Sequence, residues 1–443
     1  MKDNHFESLY PDATRFVEVK KLAEFVKRGA STQLISIPGA GRSALLGLLA
    51  HNKNLRIKHF GKEEVKMHFV VVNFTEIRNR PLIDVVKFIF LALVDSLRER
   101  GMDSHFLRVN KLLKEYLGFN DELALFQAFK EAVDYLGLEN DIKLVFLFDK
   151  FEEYIPSATK QFFTNLRVLR ARAKYNFSVI FSLNRPLEDL LETDIMSDYH
   201  EFVAGNYVYL SLYDEQMANF RISYIEKVTA KKIKPEILSK LIKETGGVGK
   251  LLKLSAEAVL SSVEVDKLDL GDFLYSQKTI QEALSEICRS LLPPEQTALI
   301  KDDYSNPDIV SYLESIGILQ NNNIQIPLFK KHIASHIVDF KGESRKITYQ
   351  PQNNTILKED IILSDQLTGS EFKLLSFLLN SQERIVTRDE MIAATWSDVK
   401  STAGITDQAV DQLIFRLRRK IEDNPNTPTH LLTVKGRGFR FIQ

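Results

Sequence analysis

Between residues 34 and 211, short apolar runs alternate with longer stretches in which apolar residues recur at helical spacing. The runs are Leu34–Ile37, Phe69–Val72, Leu144–Phe148, Ser178–Phe181 and Tyr207–Leu210. Several are apolar on both faces, as strands buried inside a parallel sheet must be. Leu82–Leu97 and Glu122–Tyr135 carry the spacing of amphipathic helices. This alternation predicts an α/β unit, a parallel sheet wrapped by helices. From Asp214 to about Leu268 the pattern turns wholly helical, which predicts a lid of helices packed on that sheet.

Residues 284–340 have another rhythm. A helical stretch, Leu284–Leu292, meets a turn at Pro293-Pro294, and a second, Pro307–Ile316, ends at Gly317. Ile318-Leu319 and Ile324–Ile326 then flank the hairpin turn Asn321–Asn323. Helices followed by a short ribbon predict a small winged-helix unit. After the charged, apolar-free junction 341–346 come short strands (Ile347–Gln350, Thr355–Leu357, Ile361–Leu363), three helical segments and a closing hairpin (Leu431–Val434, Phe439–Ile442). The expected organisation is an α/β domain over 1–213, a lid over 214–283, a first winged-helix unit over 284–340, a linker over 341–346 and a last domain over 347–443.

The composition is that of globular material: 44% hydrophobic and 27% charged over 443 residues. A net charge of zero argues against a polybasic coat on nucleic acid or membrane, but it is a sum over parts. Residues 284–340 carry 4 basic and 7 acidic side chains, and 406–443 carry 7 basic and 4 acidic. The first of these units should repel phosphate and the second attract it. The single cysteine, Cys288, excludes an internal disulfide and a cysteine-built metal site, and its helical, half-apolar setting favours a buried residue over a reactive thiol. No apolar signal core opens the chain, and the most apolar stretch, Val85–Val94, is interrupted by Lys87 and too short to span a bilayer. A soluble cytoplasmic protein without membrane contact is expected.

The candidate chemistry begins after the first strand, at Ser36-Ile37-Pro38-Gly39-Ala40-Gly41-Arg42-Ser43. Strand, glycine turn and helix follow one another as in a phosphate loop. Gly39, Ala40 and Gly41 would turn backbone N–H groups around phosphate oxygens, the helix start at Ser43 adds a favourable dipole, and the Ser43 hydroxyl would reach Mg²⁺. Ser36 stands where the pattern has its first glycine, and Arg42 where it has lysine, so the charge is kept with a different shape. The strand Leu144–Phe148 ends in Asp149, placed to orient the metal's shell. Lys150 follows it, and then Glu152 and Glu153, either of which would polarise water or cap the next helix.

The loop Pro38–Ser43 and the Asp149-x-Phe151-Glu152-Glu153 tip resemble P-loop ATPases of the STAND and AAA-like group, over roughly residues 15–340. The resemblance implies ATP or ADP with Mg²⁺ held between sheet and lid. It also implies phosphate sensors at Asn184 and Arg185, beyond the fourth strand, and a glycine-bearing lid segment at Thr245–Leu252. Arg167, Arg170 and Arg172 are either trans-acting fingers of an oligomer or a solvated basic helix face. His332 and His336, spaced as metal ligands on a helix can be, have no third partner nearby and are set aside.

In the last domain Thr368 and Glu371 form a capping pattern, and Val386–Ile392 opens a second helix ahead of Trp396. Thr406–Ile421 forms the third, with Val410, Ile414, Leu417 and Ile421 on one face and Gln408, Gln412, Phe415, Arg416 and Arg419 on the other. Val410-Asp411, Leu417–Ile421 and Thr433–Phe441 are very similar to the OmpR-type winged helix of bacterial response regulators, over about 347–443. That resemblance implies double-stranded DNA as partner, with the third helix in the major groove and the hairpin as a wing. Gln408, Gln412 and Arg416 would face base edges or nearby phosphates, and Thr433, Lys435 and Arg437 the backbone; Arg419 belongs to the same face, and Arg418 would pair with Asp411 or phosphate. Leu413 and Phe415 stand where relatives often have polar residues, an edge suited to thymine methyls or to protein. The receiver domain usual beside this winged helix is absent.

Together these features point to a nucleotide-responsive DNA-binding transcriptional regulator with no membrane contact, acting on DNA and through self-association or a protein partner. A STAND-type signalling or defence ATPase whose winged helices bind proteins, and a degenerate ATPase scaffold, are the alternatives; Arg42 and Lys150 motivate the second and leave hydrolysis open.

Overall fold

The computed structural model describes residues 5–443 apart from 119–120, 193–194, 204, 263–268, 337–345, 359–360, 398–406, 424 and 426. Most of the junction 341–346, and the expected first residue of the third C-terminal helix, Thr406, lie outside the described residues. The chain clusters into two compact units. The first holds residues 1–190, 195–242 and 247–265, and the second 191–194, 243–246 and 266–443.

Five parallel strands form the centre of the first unit: β1 (Thr32–Ile35), β2 (Met67–Asn73), β3 (Lys143–Asp149), β4 (Phe177–Leu183) and β5 (Tyr207–Tyr209). Their order across the sheet is β2-β3-β4-β1-β5. β1 and β4 are buried along their whole length, which is why their sequences lack polar alternation. β1 stops at Ile35, earlier than its apolar run, because Ser36 and Ile37 already belong to the loop that follows. The expected helices stand at Leu82–Glu99 and Glu122–Asp134, and the lid helices at Glu215–Thr229, Pro235–Thr245 and Gly249–Ser261. Asp121, Thr159 and Asp214 each cap a helix by accepting a backbone N–H, fixing where the chain leaves the sheet.

Beneath the tip of β3, Phe74, Phe148, Phe151, Phe162 and Phe181 interlock, with Phe151 fully buried. Lys150 takes a left-handed conformation, φ 52°. That turn drives Phe151 into the core and sends the exposed Lys150 outward.

In the second unit Lys278–Arg289, Pro293–Lys301 and Pro307–Ser315 precede a two-strand ribbon, Leu319–Gln320 with Asn323–Ile324. Asn321 and Asn322 both have positive φ, as a two-residue hairpin turn of this hand requires. Pro293-Pro294 is not a turn; it opens a helix, where missing N–H groups cost nothing, and Glu295 accepts the Leu292 N–H at 2.7 Å. A further helix, Pro327–His336, closes the ribbon. His332 on it is buried against Tyr275 and Ser285, and among the described residues no metal-ligating cluster exists. Burial pushes the Cys288 thiol up to about 11.

The C-terminal part has a three-strand sheet (Ile347–Gln350, Thr355–Lys358, Ile361–Ile362), the helices Gly369–Asn380, Arg388–Thr395 and Asp407–Ile421, and a second sheet in which Ile385–Val386 and Leu431–Val434 both pair with Gly438–Phe441. Capping boxes at Thr368/Glu371 and Thr387/Glu390 start the first two helices. Trp396, Leu413, Ile414 and Leu417 share one core with Phe439 and Phe441. Gly438 is required: a Cβ there would lie 2.1 Å from the Val386 carbonyl oxygen. Within this unit Gln366 donates to the Leu291 carbonyl at 2.6 Å and Asn306 to the Asp423 carbonyl at 2.8 Å, so the two winged-helix parts are hydrogen-bonded together. Glu192 accepts from the Thr368 hydroxyl and the Ser370 N–H, both at 3.1 Å. Among the described residues no helix is long and apolar enough to cross a membrane.

Candidate phosphate loop and nucleic-acid interface

The loop after β1 lies at the carboxyl end of the sheet, where open α/β folds bind ligands. Gly39 and Gly41 both have positive φ, 83° and 111°, and a Cβ on Gly39 would come within 2.8 Å of the Lys250 side chain. The loop therefore needs glycine for both conformation and space. The helix Arg42–His51 starts directly behind it. Ser43 donates to Asp149 Oδ1 at 3.0 Å, so the two residues assigned to a metal ion meet across the loop and the tip of β3.

Arg42 turns back into the loop. Its guanidinium donates to the Ser36 carbonyl at 2.7 Å, to Glu152 Oε1 at 2.9 Å and to the Asn184 side-chain oxygen. The fork joins three of the expected site residues in one network, which a point-like ammonium would not do as readily. Burial pushes the Glu152 carboxyl above its usual range against the pull of Arg42, and its Oε2 has no hydrogen-bond partner. Glu153 points elsewhere and pairs with Arg78 at 2.8 Å. Arg185 is 6% exposed and pairs with Asp189 at 3.3 Å, so it braces the turn after β4 rather than facing the loop. Arg167 pairs with Glu201, Arg170 donates to the Glu201 and Phe202 carbonyls, and Arg172 pairs with Asp134; all three are engaged within their own unit.

Arg15 is part of this site although nothing local in the sequence marks it. It is 1% exposed and left-handed, φ 54°. Its Nη2 donates to the Ala40 carbonyl at 2.9 Å and its Nη1 to the Ser211 carbonyl at 2.6 Å. On the other side, the Lys250 N–H donates to the Gly39 carbonyl at 3.0 Å. Two of the loop's carbonyls, those of Gly39 and Ala40, are thus tied to groups outside the loop. Arg15, Met217, Arg221 and Gly249 border a small cleft beside the loop. Two positive-φ glycines, one of which a Cβ would obstruct, the hydroxyl–carboxylate pair and the unsatisfied Glu152 oxygen fit a Mg–nucleotide.

On the last long helix, Gln408, Asp411 and Gln412 are exposed, and Phe415 is 52% exposed. Arg416, expected among them, is corrected: it is 7% exposed and lies 3.1 Å from Glu371, which Lys420 also contacts at 2.6 Å. Arg416 lies three positions after the core residue Leu413 and four before the buried Lys420, so it falls on the inward face. Arg419 is half-buried. Arg418 does not pair with Asp411; it donates to the Leu431 carbonyl and to Thr433 Oγ1 at 2.9 Å, tying the helix to the wing. Asp411 is instead held by Arg388 at 2.6 Å. Thr433, Lys435 and Arg437 are exposed on the wing.

Residues 365–441 match the family model "Transcriptional regulatory protein, C terminal". Over 70 residues the chain is 39% identical to the sensory transduction protein RegX3 of Mycolicibacterium smegmatis, covering 16% of this chain and 29% of that protein. The chain thus spans less than a third of that curated relative. The crystal structure of the Klebsiella pneumoniae RstA DNA-binding domain in complex with the RstA box is similar at 27% identity, over 22% of this chain and 90% of that one, TM-score 0.19. The Walker-type ATPase PabY2304 of Pyrococcus abyssi is similar at 14% identity, over 78% of this chain and 93% of that one, TM-score 0.40. Over residues 365–441 the chain therefore carries the C-terminal winged-helix domain of transcriptional regulatory proteins.

Proposed function

We propose that the protein is a DNA-binding transcriptional regulator controlled by ATP or ADP with Mg²⁺. The observation that carries this is the Arg42 network. One guanidinium links the loop (Ser36), the acidic tip (Glu152) and the residue after β4 (Asn184), so phosphate in the loop must compete for Arg42 and release or rearrange the other two. Gly39, Ala40 and Gly41 would bind phosphate through backbone N–H groups, and Ser43 and Asp149 would hold Mg²⁺, which would supply neutralisation of phosphate charge. Glu152, freed from Arg42, is the group placed to take a proton from water. Arg185 keeps a bracing role. On the reader, Gln408 and Gln412 face base edges, and Thr433, Lys435 and Arg437 the phosphates.

The test is duplex selection with the intact protein in ATP, ADP and neither, followed by titration of the selected site at several salt concentrations. The expected outcome is a nucleotide-dependent change in affinity that Ser43→Ala or Asp149→Ala removes. Affinity should fall with salt at a log–log slope of about −0.9 per neutralised phosphate. Equal affinity in all three nucleotide states, alongside intact DNA binding, would overturn nucleotide control and favour a degenerate scaffold.

A further inference from the structure

We infer that the reading helix selects A·T pairs and that Phe415 sets the choice through thymine methyl groups, an inference resting on the DNA-binding reading above. Of the cations on Asp407–Ile421, Arg416 and Lys420 are buried on Glu371, Arg418 is spent on the wing, and Arg419 is half-buried in the last turn. The N-terminal half of such a helix is the part that meets base edges. Here the helix exposes Gln408, Gln412 and Phe415 in one stripe that runs from its first turn to just past its middle. The stripe spans about 10 Å at 1.5 Å per residue, roughly three base steps at 3.4 Å. Arg419 continues this face one turn further on, half-buried, so the stripe itself carries no cation at the level of Gln408 to Phe415 to take guanine O6 and N7. Glutamine pairs with adenine N6 and N7, and an aromatic edge contacts the thymine C5-methyl. Asp407 and Asp411 share the exposed side. Arg388 binds the Asp411 carboxylate at 2.6 Å and the Asp407 carbonyl at 3.3 Å, which fixes the first turns and neutralises a charge that would repel phosphate.

Phe415 is half exposed on a helix whose apolar residues are otherwise packed in the core. Leu413, its apolar neighbour, is 1% exposed and belongs to that core, so Phe415 supplies the apolar contact alone. A protein partner would use the same ring, and the experiment separates the two.

Duplexes are selected by the intact protein, and each thymine of the selected site is then replaced by uracil, which removes only the methyl group. The expected result is an A·T core and one or two positions where uracil weakens binding about fourfold, the worth of one buried methyl. Phe415→Ala should bind thymine and uracil duplexes equally, and Gln412→Ala should relax the adenine preference next to that position while keeping the uracil effect. Guanines across the core, or no uracil effect, with salt-sensitive duplex binding retained, overturns the inference and leaves the regulator reading standing. Absence of any duplex binding, with Phe415→Ala abolishing capture of a protein instead, overturns both.

Discussion

Glu371 has no exposed surface and lies between Lys420 at 2.6 Å and Arg416 at 3.1 Å. Burial alone would raise its carboxyl; the charges of Lys420 and Arg416 outweigh burial and hold it below the ordinary 4.5. A carboxyl depressed in the fold stabilises above its unfolded value, and that contribution is lost as pH falls through the folded one. Glu371→Gln leaves two buried cations with a neutral partner and is expected to cost about 3–5 kcal/mol at neutral pH. Urea unfolding of wild type and variant should differ most at pH 7 and converge under acid. Arg416→Met should lower stability while leaving the salt slope of DNA binding unchanged, because the side chain reaches no phosphate. The sequence period placed Gln408, Gln412 and Phe415 outward, where they are. Arg416 was misplaced because one residue turns a helix by about 100°, enough to cross from rim to core, and its counter-charge is far away in the chain. Arg15 was missed for the same reason: its partners Ser211 and Asp214 are distant in sequence, and nothing beside it in the chain advertises them.

At the scale of elements, the sheet was legible because strands buried on both faces read as unbroken apolar runs. The helix Asp103–Leu117 was not, because Val109 and Leu113 alone among its residues are buried and leave too narrow a stripe to stand out. One strand also carries an ionisable group into the core. His68 on β2 is 1% exposed, its Nε2 2.8 Å from Ser96 Oγ on the helix Leu82–Glu99. Burial, with Arg100 and Arg56 nearby, pushes the imidazole down to about 3 from 6.5. The folded protein keeps it neutral while the unfolded chain takes up a proton. Its stabilising contribution is whole above pH 6.5 and declines as pH falls toward 3, by up to about 1.4 kcal/mol per pH unit. His68→Leu should therefore flatten the fall in melting temperature between pH 6.5 and 4, measured by circular dichroism.

For the whole molecule, neutrality divides unevenly. Residues 341–443 hold 15 basic and 13 acidic side chains, and most of the excess sits on the last helix and wing. That distribution suits a reader that depends on a few placed contacts rather than on bulk charge. The unit boundaries are less regular than the linear plan of domains read from the sequence, because short pieces of chain around 191 and 243 cluster with the second unit. No periodicity announces such exchanges. Glu192, in one of these pieces, lies at the N-terminus of the helix Gly369–Asn380. Glu192→Gln is expected to cost about 0.3–1 kcal/mol, since it removes a negative charge from that helix end. Thermal unfolding of the intact variant at low salt checks this, and the difference should shrink as salt is added.

The two pieces 191–194 and 243–246 also set an order of events during synthesis. They leave the ribosome well before residue 266, at which the rest of their unit begins. At about 5–20 residues per second the helix Gly369–Asn380 follows Glu192 after on the order of ten seconds or more. The first unit has time to form while Glu192 is still without its helix, so the reader is assembled last.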